Sequence, residues 1–274
     1  MTAAPAPSPG PSPGLRILST QASSHVRSAH GDLLPTRTWL PRGRPRRVVV
    51  ALHGMVTHAG WFAQLGDLLV AHEIALVAPD RRGNGVARAL GQVGNAALLI
   101  SDALAVVQAA REMSDDVTLF SWCGSANFAV PAAVRAPIRR FVLASPGLVP
   151  LAEMSARFRA SQPASGRLPI HFDPAADFTD DAEVQAMIRA DELYLRWIPV
   201  EVRDAWKQLN PIARESLRAL PVPTRCVLTR VDRMIDIPQT ARLLADIPIE
   251  WAGGGHGFLV EPAGARFVAS LLAS

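Results

Sequence analysis

A strand-like run, "DVTLFSW" at 116–122, leads straight into Cys123, and the Ala-rich stretch "ANFAVPAAV" follows with helical spacing. Between them, Ser121-Trp122-Cys123-Gly124-Ser125 has the form small-x-nucleophile-x-small, the pattern of a sharp strand-to-helix turn that lifts a nucleophile out of a sheet. Such a turn presses the positions two before and two after the nucleophile against neighbouring backbone, so both must be small. Ser121 as nucleophile would have Leu119 at its minus-two position, and Ser125 would have Asn127 at plus two. The steric rule admits Cys123 alone. At the apex its sulfur stands at a helix N-terminus, where the dipole and the backbone N–H groups favour a thiolate.

A thiol nucleophile needs a base within hydrogen-bond reach, and that base needs a carboxylate to fix its tautomer. Two later loops supply these groups. Asp232 follows the strand "TRCVLT", and His256 follows "IEWAGGG" ahead of the last helix. Cys, Asp and His thus come in that order, each beyond the carboxyl end of a different strand. Asp236 competes with Asp232, but Asp232 has the better offset from its strand, and Asp236 reads as a loop-stabilising carboxylate. After the first strong strand comes His53-Gly54-Met55, where the Met55 and Gly124 N–H groups are placed to form an oxyanion hole. His53 itself reads as a structural loop residue. His58, taken to lie at the pocket mouth, and Trp122, beside the nucleophile, are candidate substrate contacts. His25, His30, His72 and His171 carry no signal, and Cys226 reads as a core residue inside a strand.

The elements that must position these groups alternate between short β-branched runs and longer Ala/Leu-rich stretches, the pattern of an α/β fold with a mostly parallel sheet. Strands are expected at 46–53, 74–79, 116–122, 139–145, 224–229 and 248–253, each a nearly continuous apolar run, as strands covered on both faces should be. Helices are expected near 60–71, 94–112, 125–135, 238–245 and 262–272. Two weaker strands, "LRILST" and "LPTRTWL", suggest an antiparallel edge. Three parts follow: a Pro-rich, disordered tail at 1–14, a core at 15–148 and 216–274, and a helical lid inserted at 149–215. The insertion carries exposed-looking aromatics (Phe158, Phe172, Phe178, Tyr194, Trp197, Trp206) and arginines (Arg157, Arg159, Arg167, Arg189, Arg196) that could meet an acidic substrate or carrier.

Composition narrows the classes. A chain of 274 residues, 49% hydrophobic and 19% charged, can bury a full core. The net charge is +4, and Lys207 is the only lysine, so the basic balance is carried by arginine. No basic stripe with interleaved aromatics exists, which argues against nucleic-acid binding. No apolar run reaches the roughly 18 residues of a membrane span. Two cysteines fit neither a disulfide framework nor a Cys-rich zinc site, no local ligand pair suggests a metal, and "MTAAPAPSPGPSPG" does not read as a signal peptide, so the expected setting is the cytoplasm. "GNGVAR" fails as a dinucleotide fingerprint: its third glycine position is Arg88, and no helix is expected to open there. The "GGGHG" run reads as a flexible loop that positions His256.

The motifs "GDLLPTRTWLP", "VVVALHGMVTHAGWFAQL", "ALVAPDRRGNG", "FSWCGSANFAV", "FVLASPGL", "VDRMID" and "GGGHGF" together resemble the α/β-hydrolase superfamily, especially its monoacylglycerol-lipase-like and lysophospholipase-like branch, over roughly residues 30–150 and 220–274. The resemblance implies an α/β-hydrolase fold with Cys123 as nucleophile, Asp232 as acid, His256 as base, and Met55 and Gly124 as oxyanion donors, without cofactor or metal. The chain departs from that branch at the nucleophile, normally a Ser between two glycines. A Cys at this turn is found in dienelactone hydrolases, polyhydroxyalkanoate synthases and some biosynthetic thioesterase or acyltransferase domains. The expected reaction is cleavage of a small-molecule ester or thioester, free or linked to a carrier protein or coenzyme A, through an S-acyl enzyme. Acyl transfer to an amine, hydroxyl or thiol is the alternative, and an inert, ligand-binding pseudo-hydrolase is the non-enzymatic one.

Overall fold

Val48, Val49, Val50 and Ala51 have no exposed surface, and neither have Ile74, Ala75, Leu76 and Ala78, because both faces of these strands are covered. The computed structural model describes residues 24–90, 95–159, 166–170 and 173–274. Its main sheet is built from β1 (Ser24–Arg27), β2 (Leu33–Trp39), β3 (Arg47–Leu52), β4 (Ile74–Pro79), β5 (Val117–Trp122), β6 (Arg140–Ala144), and, after the insertion, β9 (Thr224–Thr229) and β10 (Ile249–Ala252). The insertion adds the short pair β7 (Arg167–Pro169) and β8 (Trp197–Pro199), which run antiparallel. The helices are α1 (Ala63–Val70), α2 (Ala96–Arg111), α3 (Ala126–Ala133), α4 (Ala152–Arg159), α5 (Pro174–Phe178), α6 (Ala182–Ala190), α7 (Val200–Ser216), α8 (Ile237–Leu243) and α9 (Pro262–Ala273).

The eight strands of the main sheet lie in the order β1-β2-β4-β3-β5-β6-β9-β10. β2 runs antiparallel to both β1 and β4, and the rest of the sheet is parallel. From β3 the chain steps to β4 on one side, then crosses to β5 on the other. Parallel crossovers are right-handed, so this reversal puts α1 and α2 on opposite faces of the sheet. α1 packs against α9, and α2 against α3. The reversal also opens a crevice between the carboxyl ends of β3 and β5, where Leu52 lies opposite Ser121.

The six strands expected from apolar runs and the five expected helices are present within a residue or two of their limits, apart from a 3-10 turn, Ala59–Phe62, that opens the first helix. The edge strand "LRILST" and the N-terminal tail lie outside the described residues; the edge is formed by β1, whose sequence SHVR has no apolar run. Among the described residues, no helix is long and apolar enough to cross a membrane.

Candidate active site

β5 ends at Trp122, and Cys123 takes φ +60°, a left-handed backbone, before a single 3-10 turn passes into α3. A non-glycine residue in that region is strained and must be held by its surroundings. Here the flanking serines hold it. Ser125 Oγ accepts from the Trp122 N–H (3.1 Å) and lies 2.9 Å from Ser121 Oγ and 2.8 Å from the Leu52 carbonyl, to which it donates. The Gly147 N–H closes the turn from β6's side by donating to the Cys123 carbonyl at 2.8 Å. Cys123 is partly exposed, and its thiol is free.

Asp232 and His256 are brought together by the loops after β9 and β10. His256 Nδ1 lies 2.8 Å from Asp232 Oδ2, and the other carboxylate oxygen accepts the N–H groups of Met234 (2.8 Å) and Ile235 (3.1 Å). Burial works against both charges, but the pairing prevails. It holds Asp232 below the usual carboxylate range. Asp232 and the nearby Cys123 hold His256 up at about 10. The imidazole is fully buried, and besides Asp232 its charge is supported by the Cys123 side chain. Trp122 stacks beside it at 6.2 Å and Phe178 at 5.0 Å between ring centres. The glycines before and after His256 serve close approach, not flexibility. A Cβ on Gly255 would meet the Phe178 carbonyl at 2.6 Å, and the Gly257 N–H donates to that same oxygen. Asp236 stands apart as the N-cap of α8, accepting from the Gln239 N–H at 2.9 Å.

The loop after β3 is pinned by buried hydrogen bonds. His53 Nε2 accepts from the Arg81 N–H at 2.9 Å, so Nδ1 must carry the proton it donates to the Gly54 carbonyl. Burial, aided by Arg81, keeps this imidazole well below its usual pKa, hence neutral. Arg81 and Asn84 both donate to the Met55 carbonyl, at 2.8 and 2.9 Å. These contacts fix the peptide plane around Met55 beside Gly124: a Cβ on Gly124 would lie 3.5 Å from Met55 N.

His58 is not at a pocket mouth. It has no exposed surface; Nδ1 accepts from the Gly60 N–H at 3.0 Å and Nε2 donates to Asp191 Oδ2 at 2.9 Å. The same carboxylate oxygen takes the Trp61 indole N–H at 2.7 Å, tying the insertion to the core. Trp122 is likewise buried, and its indole lies under His256. Cys226 is buried in β9, which pushes its thiol pKa up. A short 3-10 helix, Gly85–Leu90, does open at "GNGVAR", but the Asp80 carboxylate already takes the Val86 N–H there at 2.9 Å and the Ala59 N–H at 2.7 Å. Among the described residues, no cluster of three His, Cys, Asp or Glu is placed to hold a metal ion.

A cavity of about 460 Å³ opens over Cys123, Gly124 and Met55. Met154, Ile198 and Ile235 make it largely apolar, and Arg203, Lys207 and Asn210 of α7 line it too. A second cavity of about 50 Å³ adjoins Cys123 between Thr57, Trp122 and Phe178. A space that small admits water but not an acyl chain. The aromatics of the insertion mostly face inward: Phe178, Tyr194 and Trp206 are buried and Trp197 is half-buried. Phe172 and the side chain of Phe158 lie outside the described residues, as do His171 and the side chains of Arg157 and Arg159. Arg167 stacks on Trp197, Arg189 pairs with Asp173 at 3.2 Å, and Arg196 donates to the Arg189 carbonyl. Among the described residues, Arg203 and Lys207 are the cations that line the cavity, and Arg203 is itself paired with Asp204 at 2.8 Å.

Residues 43–263 match the hydrolase family described as serine aminopeptidase, S33. None of the curated proteins matches the chain by sequence. Among solved structures, a soluble variant of monoglyceride lipase from Saccharomyces cerevisiae superposes with a TM-score of 0.79 at 13% identity, covering 96% of this chain and 97% of that one. The monoacylglycerol lipase of Paleococcus ferrophilus gives 0.70 at 15% identity over 88% and 96%. The thioesterase domain from the curacin biosynthetic pathway gives 0.63 at 18% identity over 93% and 100%. At these identities the likeness is one of fold, the α/β-hydrolase fold.

Proposed function

The chain belongs to the hydrolase family described as serine aminopeptidase, S33, and we propose that it cleaves an acyl ester or thioester through a Cys123 S-acyl enzyme. The observation that carries this reading is the buried His256–Asp232 pair at 2.8 Å, whose imidazole interacts with the strained, partly exposed Cys123. His256, held protonated at neutral pH beside Cys123, has already taken the thiol proton, and the sulfur attacks the acyl carbon. The carbonyl π pair moves onto oxygen, where the Met55 and Gly124 N–H groups receive it. As the pair returns, the leaving group departs with the proton from His256. Water, admitted through the small cavity by Thr57, then gives a proton to His256 as its oxygen bonds to the acyl carbon, and the C–S bond breaks to release the acid and return the Cys123 sulfur. The insertion roofs the larger cavity and holds the acyl chain against Met154 and Ile198.

Thioesters are the favoured donors. An oxyester intermediate expels thiolate in preference to alkoxide and collapses backwards, whereas with a thioester the two leaving groups are matched. Arg203, already paired with Asp204 at 2.8 Å, and Lys207 give the cavity wall a basic edge that suits an anionic handle such as a phosphopantetheine arm. The S-acyl enzyme is itself a thioester, so an amine or thiol acceptor can divert it from hydrolysis. The test compares kcat/KM for an acyl thioester and its glyceryl ester, wild type against Cys123→Ser. Preference for the thioester, lost or reversed in the serine variant, supports the reading. A wild type that prefers the glyceryl ester, or a serine variant superior on both, refutes it.

A further inference from the structure

α7 lays Val202, Trp206, Leu209 and Ala213 along its buried face, and Trp206 keeps only 9% of its surface exposed. Among the described residues its indole Nε1 has no hydrogen-bond partner. A buried N–H left unpaired costs about 1–3 kcal/mol, so such a donor needs a reason. The neighbours supply one. The Cβ that Gly124 lacks would sit 3.2 Å from Trp206 Nε1 and 3.5 Å from Met55 N. Two N–H groups, one from the insertion and one from the β3 loop, therefore border a single small space that stays open because residue 124 has no side chain. Trp206, Met55, Cys123 and Gly124 all line the larger cavity. Behind them, the buried Arg81 guanidinium lies 4.7 Å from the Trp206 ring centre while holding the Met55 carbonyl at 2.8 Å. One cation thus braces both donors.

We propose that the Trp206 indole N–H is a third donor to the acyl oxygen of the tetrahedral intermediate, so that the insertion completes the oxyanion hole begun by Met55 and Gly124. The proposal rests on the acyl-enzyme reading above and adds a catalytic residue to it. In the bound substrate the carbonyl oxygen carries little charge. When the Cys123 sulfur bonds to the acyl carbon, the π pair moves to that oxygen and the indole gains its full partner. When the pair returns to re-form C=O, the leaving group departs with the His256 proton, and the indole bond weakens again. The donor is idle in the free enzyme and engaged where it lowers the barrier.

Trp206→Phe removes the N–H while keeping an aromatic ring over Arg81. Replacement of Trp206 by benzothienylalanine, with sulfur in place of the ring N–H, keeps the bicyclic shape as well. The readouts are the single-turnover rate of Cys123 acylation by an acyl thioester and the rate of Cys123 alkylation by iodoacetamide, a displacement that builds no oxyanion. Both variants should acylate slower by on the order of 10²-fold, as for loss of one oxyanion donor, with alkylation unchanged. Acylation at the wild-type rate in the benzothienylalanine protein overturns the proposal. So does a parallel loss of acylation and alkylation, which would make Trp206 a packing residue. If wild-type Cys123 forms no acyl adduct at all, the acyl-enzyme reading falls first and this proposal with it.

Discussion

Asp232→Asn changes one atom and should cost nearly all of the activity. Asp232 Oδ1 is fixed by the Met234 and Ile235 N–H groups, at 2.8 and 3.1 Å, and only an acceptor satisfies them. The carboxamide oxygen of an asparagine must therefore take that place, which puts its NH₂ where Oδ2 stood, 2.8 Å from His256 Nδ1. A donor there forces Nδ1 to accept. Nδ1 then carries no proton, the single ring proton sits on Nε2, and the imidazole can no longer hold the thiol's proton as well. The charge that offset burial is lost at the same time, so the imidazole falls from about 10 and stays neutral. The equivalent exchange in a serine triad lowers kcat about 10⁴-fold with the geometry intact, and the same loss is expected here. Steady-state turnover of an acyl thioester at pH 7 measures it, with Asp236→Asn as the comparator. Asp236 caps α8 and takes the Gln239 side-chain amide at 2.6 Å, and Asn caps as well as Asp, so that variant should keep the wild-type rate. A loss in Asp232→Asn no larger than in Asp236→Asn refutes the assignment of the acid.

Two further outcomes follow from the buried pairs. His256 titrates at 6.5 in its ordinary state and at about 10 in the fold, so its proton stabilises the protein fully below pH 6.5 and ceases to as pH rises through 10. The Tm difference between wild type and His256→Gln should shrink steadily across that window, and a difference that grows with pH contradicts the pairing. Asp191→Ala removes the acceptor of both His58 and Trp61 and strands two buried donors. It should destabilise the fold by about 3 kcal/mol in urea titration, and a loss within error of zero would mean that the insertion is anchored elsewhere.

The strand-to-helix turn at Cys123 was legible because sterics constrain it. Small residues at 121 and 125 and a strand running into a helix leave one candidate, and the structure shows what those serines bond to. The apolar strands were legible because a strand covered on both faces must be apolar along its length. β1, β7 and β8 were not: SHVR alternates weakly, and the other two are three residues long with a proline at the end. His58 was misread because adjacency along the chain says nothing about burial, and its partner Asp191 lies 133 residues away. The aromatics of the insertion looked exposed because charges separate them in sequence. On α7 Glu201, Asp204 and Glu215 occupy the other face, while Arg203 and Lys207 stand at the cavity. The spacing of Val202, Trp206, Leu209 and Ala213 is the helical signal that could have placed Trp206 inside. That its N–H lacks a partner is a property of packing alone.

The most direct test of the account is intact-mass spectrometry, with peptide mapping, of the protein mixed with a panel of acyl thioesters and esters. The account predicts a mass increase equal to the acyl group, mapped to Cys123, fastest with thioesters, discharged by an added amine, and absent in a Cys123→Ala protein that keeps the wild-type Tm. Turnover without an adduct on Cys123, or turnover that survives in Cys123→Ala, would contradict it.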